Sequence, residues 1–407
     1  MIRKKFGLFC LILLFFPALA LLGAEITVPR LEMATYGAID DGEFALSSMA
    51  ALDIALNGGY KFGILLGLSF EAANLGKAFA YRNFAVEPLS PGASVGPDEY
   101  NELADRYNNQ AVLSFRVAKA TARDLFNLPL ELSYFVGITD PFCSGEEFAS
   151  RYGANIGTDF TGFYYFPDGI GNNPYRRYNG LHSVQGTGLS FALTKSKNYI
   201  PILYVYQDFP VLYGQGLMSE KIRYSGDFRF LFNHERLKME VFSGLTGAKD
   251  TDVEIRGGIL AFFDSGKGTE FLLQLGIPGW SQNDEFGISN LYVLFEPRIH
   301  FGYISLYTTL FYHPLIYLHI KEENERNRVD VNLKLLCGDL PESRFKWGFE
   351  TTLGIKADAI NDMNLKLSPF IGFFSNGLEW NFKFRIDPLA DNKDKMFDIF
   401  AGIKTAY

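Results

Sequence analysis

The chain has 407 residues, 48% of them hydrophobic, 16% aromatic and 21% charged, with a formal net charge of −8. That aromatic content excludes a solvated coil, and an acidic balance without a basic face excludes a nucleic-acid binder. A polytopic helical membrane protein would need several apolar runs of ~20 residues, and this chain has one, at its start.

That first run has the form of a secretory signal peptide. Arg3, Lys4 and Lys5 precede an apolar stretch over 6–22 that carries Pro17 and closes on the small residues Gly23 and Ala24. Cleavage is predicted after Ala24, with Ala20 the second site, so that 1–24 is the leader and 25–407 the exported domain. The alternative is an uncleaved helical anchor, which Pro17 disfavours. Cys10 has no small-residue lipobox around it. Beyond the leader only Cys143 and Cys337 remain, too few for a disulfide-stapled domain, and no bridge between them is expected.

From residue 26 onward the dominant period is two, the strand period. Candidate strands fall near 26–36, 43–57, 60–72, 111–120, 128–138, 187–194, 199–208, 223–233, 237–246, 252–264, 268–278, 286–296, 299–312, 328–337, 344–356, 363–375, 377–387 and 395–407. Over 378–386 the residues Leu378, Trp380, Phe382, Phe384 and Ile386 face one way, and Glu379, Asn381, Lys383 and Arg385 the other. A soluble sandwich also alternates. Its strands average ~5–6 residues, however, whereas many here run to the ~9–11 that cross a bilayer. The connections decide the matter. Those at Asn57-Gly58-Gly59, 195–198, 233–236, 265–267, Pro297-Arg298 and Asn376 are tight, and the intervening ones are longer, above all 73–110 and 139–186. Short periplasmic turns alternating with long extracellular loops mark bacterial outer-membrane barrels. The predicted fold is therefore all-β: a single closed antiparallel transmembrane β-barrel of about 18 strands, with 14 or 16 the alternatives and both termini on the periplasmic side. The strands at 26–36, 187–194 and 286–296 carry the weakest pattern, and Pro201 and Pro369 sit inside strands where a ladder bond would be lost.

In the last strand Phe397, Ile399, Ala401, Ile403 and Tyr407 share a face, and the chain stops on an aromatic residue. This resembles the C-terminal β-signal of outer-membrane β-barrel proteins, with Tyr407 where Phe is usual and Thr405 less apolar than usual. The resemblance implies recognition by the barrel assembly machinery and residence in the outer membrane of a diderm bacterium, with the membrane's lipid and small solutes as the other partners.

The polar face of the C-terminal strands supplies the candidate pore-lining residues: Arg328, Lys334, Arg344, Lys346, Glu350, Lys356, Lys383 and Arg385. Lys366 and Lys404 extend the basic set, and Asp330, Glu379, Asp387 and Asp398 oppose it. Such a wall is expected either to favour anions slightly or to be a cross-strand charge ladder that holds the sheet and selects little. Inward positions of the N-terminal part are small, at Ala45, Ser47, Ala51, Ala55, Gly63, Gly67, Gly188, Ser190 and Ala192. They leave room for a loop, with 139–186 the candidate, as in general porins. Its Tyr164, Tyr165, Tyr175, Arg176, Arg177 and Tyr178 are the candidate constriction residues, since aromatics beside arginines suit sugars or anionic solutes. They equally suit a loop packing on itself.

No catalytic, cofactor or metal site is expected. His182, His234, His300, His313 and His319 form no His-x-x-x-His or His-Glu-x-x-His pattern, no Gly-x-Ser-x-Gly elbow exists, and the acidic run Asp98, Glu99, Glu102, Asp105 lacks EF-hand spacing. His313 and His319 near one rim are the residues an outer-membrane hydrolase would recruit. The leading expectation is an outer-membrane channel for passive diffusion of small hydrophilic solutes. The alternatives are a transporter of hydrophobic solutes resembling the long-chain fatty-acid transporter family, which inward Leu65, Phe135, Phe370 and Phe374 and an N-terminal hatch would suit but which the missing family hatch motif at 25–42 opposes, and a surface adhesin. The oligomeric state is not legible.

Overall fold

The computed structural model describes residues 25–40, 43–72, 75, 111–159, 180–208, 222–247, 253–313, 328–338, 344–356, 359–390 and 396–405. They form 18 strands. The first six are β1 (Glu25–Asp40), β2 (Glu43–Gly58), β3 (Phe62–Ala72), β4 (Val112–Ala122), β5 (Leu130–Phe142) and β6 (His182–Leu193). Next come β7 (Tyr199–Asp208), β8 (Arg223–Asn233), β9 (Leu237–Gly247), β10 (Glu254–Asp264), β11 (Thr269–Ser281) and β12 (Tyr292–Phe301). The last are β13 (Ile304–His313), β14 (Arg328–Cys337), β15 (Phe345–Lys356), β16 (Ala359–Ser375), β17 (Leu378–Ile386) and β18 (Phe397–Thr405). Each pairs antiparallel with its sequence neighbours, and β1 also pairs with β18, Tyr36 opposite Phe400. The sheet thus closes on itself, which leaves no edge strand and satisfies every spanning backbone within the sheet.

The alternation read from the sequence sets inside from outside. In β14, Asp330 and Asn332 are buried while Leu333 and Leu335 stand exposed. In β18, Asp398 and Phe400 are buried while Phe397 and Ile399 are exposed. The exposed apolar residues form a belt around the barrel, including Phe115, Leu203, Phe228, Leu273, Phe349 and Phe382. An exposed apolar belt over a polar interior is the arrangement that lipid requires. Leu333→Arg, near the middle of β14, is therefore expected to destabilise the barrel in lipid vesicles by about 2–4 kcal/mol, read by urea titration. A cost under about 1 kcal/mol would contradict its lipid-facing placement.

All eight connections on the rim shared by the termini are short, the longest being 123–129 and 338–344. The other rim carries the long loops, together with the six-residue connection 248–253 and two tight exceptions, 41–42 and 357–358. Both exceptions cap unusually long strands: β1 and β2 have 16 residues each and β16 has 17. The hairpins extend past the ~9–11 residues that lipid needs, so they turn in water at their own tips.

One turn differs from expectation. Pro297-Arg298 lies inside β12, and the chain reverses at Gly302-Tyr303. Pro297 lacks the N–H for a ladder bond, and pairing with β13 is interrupted between Phe295↔Leu310 and Arg298↔Tyr307. Gly302, at φ 61, supplies the left-handed turn residue. Residues 286–291, expected to begin this strand, precede it instead and include a short 3-10 turn, Ile288–Asn290. The other two weakly patterned strands are present, as β1 and β6. Cys143 lies just beyond β5, whereas Cys337 ends β14 at the short-turn rim, and neither is in a disulfide.

Candidate functional site: a lumen divided by an inserted segment

The expected polar wall faces the lumen, but its charges are matched in pairs. Lys383 Nζ meets Glu350 Oε2 at 2.7 Å, and Asn332 Nδ2 donates to the other oxygen of Glu350 at 2.7 Å. Arg385 Nε donates to Asp398 Oδ2 at 2.5 Å, and its Nη2 donates to Tyr36 Oη at 2.9 Å across the β1–β18 seam. Lys346 pairs with Glu379. Lys404 reaches the second oxygen of the same carboxylate at 3.4 Å. Lys334 Nζ meets Asp159 Oδ2, on the loop after β5, at 2.5 Å. Arg328 and Lys356 stand opposite each other where β14 and β15 begin and end. Arg344 departs from expectation: it precedes β15 and is exposed at the short-turn rim. The seven-residue connection 338–344 delays the ladder, which starts only at Phe345.

The wall continues through β1–β5. Lys119 Nζ meets Asp140 Oδ2 at 2.7 Å, and Arg30 Nη2 meets Glu32 Oε2 at 3.0 Å. Arg116 pairs with Asp53 over Gly67, where a Cβ would come within 2.9 Å of both Asp53 Oδ1 and Arg116 Nη2. The small residue at 67 thus makes room for an ion pair, and not for the loop that it was expected to seat. Side chains of Arg30, Glu32, Lys119, Lys346 and Lys404 remain 15% to 27% exposed, so this side of the lumen is less filled than the other.

The opposite side, β5–β13, is filled. The loop after β5 turns inward, and residues 143–159 lie across the lumen. They include a two-turn helix, α1 (Glu146–Tyr152), bracketed by Gly145 and Gly153, both at positive φ. Phe142, Phe148, Ile156 and Leu181 are each at most 2% exposed, packed with Tyr204, Phe242, Leu260, Leu272, Tyr292 and Phe311 of the wall. Leu181 rests on two inward glycines of adjacent strands: a Cβ at Gly258 or Gly276 would stand 2.4 Å or 2.3 Å from its Cδ2.

Polar anchors hold the segment along its length. Cys143 N donates to Glu240 Oε1 at 2.6 Å, and Gln274 Nε2 donates to Cys143 O at 2.7 Å. Arg229, with its side chain fully buried, meets Glu240 at 2.8 Å and Glu147 of α1 at 3.5 Å. Arg151 pairs with Glu147 along the helix and with Glu131 of β5 at 3.0 Å. At the far end Glu296 accepts from Thr158 Oγ1 at 2.5 Å and from Asp159 N at 3.1 Å. Arg298 Nη2 donates to Gly157 O at 2.5 Å. Unpaired buried charge is costly, so these partners fix where the segment can lie.

Electrostatics follow from that burial. Burial alone would raise the Glu147 carboxyl, but Arg151, Arg229 and Lys119 outweigh it and hold the group at about 2. Burial likewise opposes ionisation of Asp159, and Lys334 overrides it to keep the carboxyl below its ordinary value. Burial, then the Glu240 charge, push the Cys143 thiol well above its ordinary range, which leaves it unreactive while docked.

A second buried network braces the wall beyond the segment. Arg256 grips Asp227 through two bonds of 2.7 Å and 2.9 Å, and Tyr206 Oη donates to the same carboxylate at 2.7 Å. His182 Nε2 lies 3.3 Å from Tyr206 Oη. Neither this network nor Arg229, Glu240, Gln274, Glu296 and Arg298 stood out in the sequence. The available signal was a charge at every second position inside otherwise apolar strands, as at Asp227 and Arg229.

Tyr164, Tyr165, Tyr175, Arg176, Arg177 and Tyr178 lie outside the described residues, as do the acidic run at 98–105, His319, Tyr407 and the leader. Residues 25–40 form the wall strand β1 and not a hatch. Among the described residues no group of three or more His, Cys, Asp or Glu side chains could hold a metal.

A closed 18-strand antiparallel barrel with a polar lumen and an apolar belt has the porin-like, outer-membrane type of β-barrel fold. No family model matches the sequence and no curated protein matches it. Solved structures do. OccAB3 of Acinetobacter baumannii is 12% identical, with 94% of this chain and 98% of that one covered and a TM-score of 0.51. The outer membrane protein OpdK of Pseudomonas aeruginosa is 10% identical over 94% and 98% of the two chains, with a TM-score of 0.49. Wzi of Escherichia coli, described as a carbohydrate binding β-barrel, is 11% identical over 93% and 84%, with a TM-score of 0.47. At such identity the likeness to OccAB3 is one of fold.

Proposed function

We propose that this chain is an outer-membrane channel through which small hydrophilic solutes diffuse passively. The observation that carries the reading is the partly exposed ionic wall from β14 through β18 to β4, beside a lumen half closed by 143–159. An 18-strand barrel is wide enough to leave an aqueous lumen, and that wall is where water and solute would pass. The apolar residues facing inward from β5–β13 are spent on packing the inserted segment, which favours a polar path over a hydrophobic one.

Selectivity on this reading is slight and anionic. Most wall cations carry a carboxylate each, but Lys346 and Lys404 share Glu379. Of the two lysines on that carboxylate, Lys404 is the more accessible. Lys404→Glu is therefore expected to shift the reversal potential in a salt gradient toward cations, changing the permeability ratio about twofold or more. Lys383→Gln, at a buried pair, is expected to change it little. Equal shifts from both variants would argue against a passage along Lys404. The outward face of β18, with Phe397, Ile399, Ala401 and Ile403, supports its service as the assembly signal, and the leader at 1–24 its export.

A further inference from the structure

Among the described residues the two rims differ in charge as well as in loop length. On the short-turn rim the exposed residues Lys61, Lys195, Lys197, Arg236, Lys267 and Arg344 are spread around the circumference, in five different connections. None of them has an ion-pair partner among the described residues. Exposed carboxylates on this rim, among the described residues, are Glu25 and Glu235. On the long-loop rim the described exposed charges are instead acidic, Asp284 and Glu285.

These cations stand beside an aromatic girdle. Tyr60 and Phe62 adjoin Lys61, Tyr199 follows Lys197 by two residues, and Phe345 and Trp347 follow Arg344, each of these rings being at least 48% exposed. Exposed aromatic rings at a strand end mark the headgroup level of a bilayer. A lysine one or two residues beyond such a ring lies at the height of the lipid phosphates, and its stem can lie along the apolar surface while its ammonium reaches them.

From this placement we propose that the short-turn rim is a binding surface for anionic phospholipid headgroups of the leaflet it faces. The barrel would draw such lipids into its annulus by charge, independently of anything passing through the lumen. Charge favours this occupant: an excess of unpaired cations at phosphate height attracts anionic lipid.

The test is electron spin resonance on the full barrel reconstituted in phosphatidylcholine vesicles, with spin-labelled phosphatidylglycerol or spin-labelled phosphatidylcholine as the probe. The expected result is a several-fold preference for phosphatidylglycerol in the motionally restricted annulus, weakened by 1 M salt. The variant K61E/K195E/K197E/K267E, checked for folding by its heat-modifiable gel mobility, is expected to lose most of that preference. The milder K61Q/K195Q/K197Q/K267Q is expected to fall between. No preference in the unaltered barrel, or one undiminished in the folded charge-reversed variant, overturns the proposal. Absent lipid preference together with charge-dependent binding to purified peptidoglycan sacculi would also overturn it, and would assign the rim to the cell-wall polymer.

Discussion

Replacing residues 144–158 by a short glycine–serine linker is expected to give a folded barrel whose single-channel conductance is about twofold or more that of the unaltered protein. The reason is geometric. The eighteen paired strands close the barrel without the segment, and its diameter follows strand number. Residues 143–159 then occupy lumen that would otherwise hold water. The deletion has a stability cost. Phe148 and Ile156 lose their burial, at about 2–5 kcal/mol for each large apolar side chain removed, and Glu296 loses the Thr158 hydroxyl as a donor. Water can hydrate Glu240, Glu296 and Arg298 once the segment is gone, so the penalty falls on packing and leaves the ladder intact. Unchanged conductance from a heat-modifiable barrel would mean that solute never passes the region the segment fills.

Glu147→Gln is expected to loosen the segment without removing it. Glu147 joins α1 to the wall through Arg229, and its carboxyl is held at about 2 against an ordinary value of 4.5. A depressed folded-state value means that the stabilisation is fully present above pH about 4.5 and is lost as pH falls through about 2. Arg151 lies on the same helix, so the part of the shift that belongs to docking is the part supplied by Arg229 and Lys119 of the wall. The variant should therefore expose Cys143, buried in the unaltered chain, to a charged maleimide about tenfold faster or more at pH 7. By the same sign, acidification from pH 7 to pH 5 should not release the segment of the unaltered barrel. Equal labelling rates in both proteins would show that Glu147 does not hold the helix down.

Most of the barrel is legible in the sequence because a lipid-spanning strand is written locally. Leu378 to Ile386 alternates without a break, and its two faces need no knowledge of the neighbouring strands. The mistaken turn at Pro297-Arg298 has an equally local cause. Proline usually punctuates a strand, while Gly302-Tyr303 offers one glycine and an aromatic residue as its only turn signal.

The lumen is a different problem. Glu240, Glu296 and Arg298 read as ordinary inward charges on two strands, and their common role appears only when residues 143–159 arrive from more than 80 positions away. Gly258 and Gly276 are similarly silent alone, since their purpose is the shape of Leu181. The C-terminal wall shows the same limit in reverse. Lys383 and Arg385 look like free pore charges along the chain, yet each is neutralised by a carboxylate on another strand, Glu350 and Asp398. On the proposed reading, selectivity falls to the two lysines that meet Glu379.

The central claim is that a continuous wet path runs along the ionic wall past the inserted segment. Single-channel recording of the unaltered protein in planar bilayers tests it most directly. The account predicts stable stepwise openings, with a reversal potential in a salt gradient that leans weakly to anions. A folded, heat-modifiable barrel that inserts and gives no steps would contradict it.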